Sequence, residues 1–194
     1  MSRLLLLWRF YDRVYQRLHR LQDLSLPEGT VLRLGLTRYR GRPLTLSDGS
    51  VIRRGDRIGI IHIHNEGVAS LHAPDGTPHR GALIFLERFR ASMRSLSGQM
   101  ATGALADVRA LTSTTVIFAA MARAGFDVLP LRPRWWGRAL GTYQRWLMAR
   151  HHPLGNRRFK LDRFVESRAV WISREALLRR YGPASSSSER GTRA

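Results

Sequence analysis

The sequence predicts a single α+β domain, with a small, mainly antiparallel sheet or partial barrel packed with several helices. Short β-type runs joined by Asp-Gly and Gly-Asp turns fill residues 36–65, and the hydrophobic period lengthens from two to three or four after Gly81. The 194 residues are 43% apolar and 24% charged, which suits one globular domain with a sizeable core. That domain is expected over residues 1–182, followed by a disordered tail over 183–194.

The first expected element is a helix over residues 3–22. Leu4, Leu7, Trp8, Tyr11, Val14, Tyr15, Leu18 and Leu21 recur at steps of three and four, with Arg9, Arg13, Arg17 and Arg20 on the other side. Pro27-Glu28-Gly29 ends it. Leu32, Leu34 and Leu36 then alternate with Arg33, Gly35 and Thr37, as a strand with one buried face requires. Leu44 and Leu46 lead into Ser47-Asp48-Gly49-Ser50, a hairpin turn, because Asp and Gly tolerate the positive φ of a tight reversal. Val51-Ile52 begins the return, Arg54-Gly55-Asp56 marks a second turn, and residues 58–64 form a β-rich run.

Beyond Gly81, Leu83, Leu86, Arg90, Met93 and Leu96 predict a helix ending at Gly98. A second helical region is expected within residues 104–124, stopped by Ala124-Gly125. Residues 126–131 predict a short strand closed by prolines. A helix is expected over 136–151, with Trp136, Leu140, Tyr143 and Leu147 on one side. Val170-Trp171-Ile172 predicts a last strand, and the Ser173 hydroxyl can cap the short helix after it. From Pro183 the chain is Ser-rich and poor in apolar residues, the composition of a disordered tail. No internal repeat is visible.

Charge is the compositional anomaly. The chain holds 33 Lys+Arg against 14 Asp+Glu, a formal net charge of +19, and Lys160 is the sole lysine. A balance this basic points to an anionic partner: an anionic ligand or membrane surface first, nucleic acid second. Arginine also suits bidentate contacts with phosphate and carboxylate. A coding bias in a GC-rich genome accounts for the preference of arginine over lysine, which runs through helices, turns and tail alike. It accounts less well for the scarcity of acidic residues.

Cysteine is absent, which excludes disulfides, thiolate metal sites and a cysteine nucleophile. The apolar runs 4–8 and 116–122 are shorter than a signal-peptide core or a membrane span. The expectation is a cytoplasmic protein, open to peripheral contact with a membrane.

Signals for catalysis are sparse. Gly-x-Ser-x-Gly, the P-loop and Gly-x-Gly-x-x-Gly are all missing, and no compact Ser/His/Asp grouping can be read from the chain. His62 and His64 stand two apart on one strand and so share a face. They can ligate a metal if Glu66, His72 or His79 supplies a third group, which keeps a metal-assisted enzyme as an alternative. They can equally hydrogen-bond within a half-buried face, with Asn65 satisfying the strand end. A third reading joins them to Arg38 and Tyr39 in a phosphate or sugar pocket. Arg132-Pro133-Arg134-Trp135-Trp136-Gly137-Arg138 and Arg157-Arg158-Phe159-Lys160 interleave cations and aromatics, a pattern open to base stacking, a lipid interface, or core tryptophans with a solvated rim.

Leu36-Thr37-Arg38-Tyr39, Leu46-Ser47-Asp48-Gly49, Gly55-Asp56 and His62-Ile63-His64-Asn65 together resemble the bacterial YkoP-like domain family. Ala124-Gly125-Phe126-Asp127-Val128, Trp171-Ile172-Ser173-Arg174 and Arg180-Tyr181-Gly182 extend the resemblance across nearly all of residues 1–182. Members stand alone or are attached to polysaccharide deacetylase domains, so the resemblance implies a neighbourhood at the cell envelope. It implies no catalytic residues. The Thr-Phe-Asp-Asp-Gly run and His-x-x-x-His pair of the deacetylases are missing from this chain. The expectation is a non-catalytic accessory or binding module, without a cofactor or metal, whose ligand-binding residues are Arg38, Tyr39, Asp56, His62, His64 and Asn65.

Overall fold

The computed structural model describes residues 32–63, 78–151 and 166–182. The expected helix 3–22, the residues His64 and Asn65, the basic run 157–160 and the tail 183–194 lie outside them. Within them are seven strands and four helices. In order they are β1 (Leu32–Arg38), β2 (Leu44–Thr45), β3 (Val51–Ile52), β4 (Arg57–Ile63), α1 (Pro78–Thr102), β5 (Ala110–Thr115), α2 (Phe118–Arg123), β6 (Asp127–Pro130), α3 (Arg134–His151), β7 (Arg168–Ser173) and α4 (Arg174–Tyr181).

Five strands form an open sheet in the order β1-β4-β5-β7-β6, so the architecture is α+β without a closed barrel. β1 with β4, β5 with β7 and β6 with β7 are antiparallel, while β4 and β5 are parallel. A parallel pair needs a long crossover, and the segment containing α1 supplies it. β2 and β3 make a separate two-stranded sheet.

The two faces of the large sheet carry different cores. Leu32, Leu34, Ile61, Leu111, Val170 and Ile172 pack with Phe89, Met93, Leu96 and Met100 of α1 and with Leu177 of α4. On the opposite face Ile58, Ala110 and Trp171 pack with Leu46 and Ile52 of the β2–β3 hairpin. The alternation of side chains across a strand divides them: Ile58 and Trp171 belong to one core, Ile61, Val170 and Ile172 to the other.

The expected hairpin, its Asp-Gly reversal and the second turn are all present, with Gly49 at φ +84° and Gly55 at φ +96°. One expectation needs correction, and one strand appears that was not expected. The helix of residue 83 onward runs through Gly98 to Thr102, because Met100 is fully buried and anchors the last turn. A lone glycine costs a helix only about 1 kcal/mol, less than such burial contributes. The helical region expected within 104–124 is α2, which stops at Ala124-Gly125, but residues 110–115 ahead of it form the strand β5, which the sequence did not announce. Ala110 and Leu111 are both fully buried, one in each core, so this central strand lacks the alternation that marks a half-exposed one.

Candidate functional site

The turns that join β1 to β2 and β3 to β4 meet at one end of the sheet, where Arg38 stands opposite Arg57. The Tyr39 N–H donates to the Asp56 carbonyl and the Gly55 N–H to the Tyr39 carbonyl, each at 2.8 Å. Arg38 donates from Nη1 to the Gly55 carbonyl at 2.9 Å. Asp56 closes the β3–β4 turn by accepting the Arg53 N–H on Oδ2 at 2.7 Å. The Tyr39 ring packs edge-to-face on Trp171 at 5.6 Å, and its hydroxyl donates to the Arg42 carbonyl. The structure thus brings Arg38, Tyr39 and Asp56 together and gives all three a part in holding the turns.

His62 is elsewhere. It pairs with Arg33, five positions along the ladder from the Arg38–Arg57 pair, a separation of roughly 17 Å at about 3.4 Å per residue. Half-buried, it falls on the same side of β4 as Ile58 and Ile60. His62 therefore stands apart from Arg38, Tyr39 and Asp56, toward the far end of the β1–β4 ladder. His64 and Asn65 lie outside the described residues. Among the described residues no group of three His, Asp or Glu side chains is placed to hold a metal ion.

The end carrying Arg38 is strongly cationic. Arg38, Arg40, Arg42, Arg53, Arg54 and Arg109 are all exposed there. Arg57 pairs with Asp107 at 2.6 Å, but among the described residues the other arginines of this rim form no ion pair. Arg109 is placed by its backbone: its N–H donates to the Arg57 carbonyl and its carbonyl accepts from the Arg174 N–H, both at 2.8 Å. Between the hairpin and α4 the surface dips into an open recess of about 220 Å³, lined by Ser50, Arg53, Asp56, Arg109 and Glu175 with the Val51 and Ile52 strand.

One wall of that recess depends on a carboxylate that the sequence marks only as a turn residue. Asp48 accepts the Ser173 hydroxyl at 2.5 Å, the Ser50 hydroxyl at 3.1 Å and the Ser50 N–H at 3.0 Å. Arg179 approaches it at 3.6 Å. Burial pushes the Asp48 pKa up, yet the hydrogen bonds from Ser173 and Ser50 and the Arg179 charge outweigh it and hold the group below the usual carboxylate value. Ser173 also accepts the Ala176 N–H at 2.9 Å, as its expected role at the start of α4 requires. Glu175 lies 3.3 Å from the same Ser50 hydroxyl, whose one proton it shares with Asp48, and Asp127 of β6 accepts the Ser47 N–H at 2.9 Å. The hairpin is thus tied to β7, α4 and β6 through one turn.

At the start of α3, Trp135 is 66% exposed and Trp136 half-buried, the two rings meeting edge-to-face at 5.8 Å. Trp135 is therefore no core anchor. It stands in solvent among the exposed Arg132, Arg134 and Arg138. Among the described residues no helix is long and apolar enough to cross a membrane.

Comparison with known proteins places these features in context. The model of the YkoP domain family matches residues 1–181. An uncharacterized protein of Bacillus subtilis (strain 168), YkoP, is 26% identical over 180 residues, covering 90% of this chain and 94% of its own. No solved structure matches.

Proposed function

The chain belongs to the YkoP domain family, and we propose that it serves as a non-catalytic accessory or binding module for an anionic, envelope-related ligand or membrane surface. The observation that carries this reading is the rim of exposed arginines at the Arg38 end of the sheet, which among the described residues lacks acidic partners apart from the Arg57–Asp107 pair. Cations left unpaired on one surface attract polyanions over a range of about one Debye length. The exposed Trp135, set among arginines, is compatible with a lipid interface, where both residue types are favoured.

The test is co-sedimentation with vesicles of phosphatidylglycerol in phosphatidylcholine, against phosphatidylcholine alone. Wild type is expected to bind the anionic vesicles and to leave them as salt rises. Each arginine near an anionic surface contributes about 1 kcal/mol, so changing Arg40, Arg42 and Arg54 together to Gln should weaken partitioning on the order of 100-fold. Equal binding to both vesicle types would sink the membrane-surface form of the reading. Binding to duplex DNA with a steep salt slope, without vesicle binding, would replace it with a nucleic-acid function.

A further inference from the structure

The recess between the hairpin and α4 brings Arg53 and Arg109 together with Asp56 and Glu175 in about 220 Å³. Opposite charges so close together would ordinarily collapse into ion pairs. Among the described residues neither guanidinium forms one. The main chain of these residues and one carboxylate oxygen of each acid are already engaged. The Arg53 N–H is bound to Asp56 Oδ2, Arg109 is strung between Arg57 and Arg174, and Glu175 sits in the first turn of α4 against the Ser50 hydroxyl. Each carboxylate keeps one oxygen that no hydrogen bond among the described residues takes up.

We propose that this recess is a seat for a phosphorylated polyol, with the phosphate held by Arg53 and Arg109 and the hydroxyls donated to Asp56 and Glu175. Guanidinium groups donate in pairs to phosphate oxygens and accept nothing, so they define the anionic end of the ligand. The carboxylates accept only, so they define a donor end. A hydroxyl suits that end better than an ammonium group, because the surrounding Arg38, Arg40, Arg42 and Arg54 repel a cation and steer a ligand of net negative charge. The recess is smaller than the roughly 300–1,000 Å³ of sites for drug-sized ligands, which limits the fragment to one phosphate and a short polyol.

This inference rests on the proposed affinity for anions and assigns it a specific seat. The ligand chemistry has two sources, free glycerol phosphate or a glycerol phosphate headgroup on a lipid. Calorimetric titration of the full chain with sn-glycerol 3-phosphate should show saturable binding. Inorganic phosphate, glycerol and phosphoethanolamine should each bind about tenfold more weakly or not at all, and Arg53→Ala, Arg109→Ala and Glu175→Gln should each lose about tenfold, as the removal of one charged hydrogen bond implies. Both arginine side chains are exposed, so circular dichroism and the unfolding midpoint should not change. A lipid source adds a preference for phosphatidylglycerol over phosphatidylserine vesicles that Arg109→Ala abolishes. A free source leaves no such preference.

Absent glycerol phosphate binding, tighter binding of phosphoethanolamine, or unchanged affinity in both arginine variants would each overturn the seat. Vesicle binding that persists through those results, and falls in the Arg40, Arg42 and Arg54 variant, would leave the broader function standing. Saturable glycerol phosphate binding without vesicle binding overturns only the membrane-surface form of that function.

Discussion

At Asp48 a residue chosen for its turn chemistry also ties separate parts of the fold together. Its folded-state pKa is lowered, so the charged form is favoured by folding. The resulting stability is present above the ordinary carboxylate value of about 3.9 and is lost as pH falls through the folded value. Asp48→Asn should therefore lower stability at neutral pH by about 1.5–3 kcal/mol, the usual worth of hydrogen bonds to a charged group, and flatten the acid limb of stability against pH. Urea unfolding at pH 7 and pH 3 measures both. Ser173→Ala removes the same contact and the helix cap, so the two substitutions together should cost less than their sum. Tyr181 reports the opposite limb. Its buried hydroxyl donates to the Ala124 carbonyl at 2.8 Å, and burial, opposed by Arg180, raises its pKa. The neutral phenol is favoured, so its contribution is full below about pH 10 and is lost as pH rises through the folded value. Tyr181→Phe should cost about 1 kcal/mol at pH 7 and reduce the alkaline loss, as measured by thermal melts between pH 7 and 11.

Among the elements, β4 shows how closely the sheet and α1 are packed. A Cβ added at Gly59 would stand 2.6 Å from Leu111 Cδ2 and 2.7 Å from Leu34 Cδ1. Both are ends of flexible side chains, yet they belong to a core already filled. Gly59→Ala should therefore cost about 1–3 kcal/mol, read as a lower urea midpoint with an unchanged slope. Gly55 shows a different constraint: it meets nothing within 4 Å but holds φ +96°, so its substitution strains only the backbone. The β2–β3 hairpin is the element on which the candidate seat depends. Four residues in its two strands cannot be stable alone. They are held by the packing of Leu46 and Ile52 and by the Asp48, Ser50 and Ser47 contacts.

For the whole molecule, the two cores predict two kinds of damage. Ile52 is 1% exposed in the smaller core, and Ile52→Ala should cost about 2–5 kcal/mol. It should also release the hairpin, so amide exchange should quicken at residues 44–52 more than in the α1 face of the sheet. Uniform quickening would instead mean that both cores open as one unit. The arginine rim acts at the same scale. Vesicle binding should fall steeply between low and physiological salt, because exposed charges are screened over roughly 10 Å at 0.1 M.

By itself the sequence determined the family, the α+β class, both glycine turns, β1, the hairpin, β6, α3 and the Ser173 cap. These are legible because each is a local event: a positive φ that favours glycine, a period of two or 3.6, a hydroxyl one turn from an orphan N–H. It also named Arg38, Tyr39 and Asp56, through the motifs of the family resemblance, and the structure sets all three at those turns. The tertiary structure alone decided that β5 is a central strand, since burial on both faces removes the alternation that would reveal it. It alone separated His62 from Arg38, because in an antiparallel pair the end of β4 lies beside the start of β1, while Arg38 closes β1 beside Arg57. And it alone joined Asp48 to Ser173 and Ser50 to Glu175, each pair 125 residues apart, because a contact at that range is specified by the packing of the whole domain and by no local pattern.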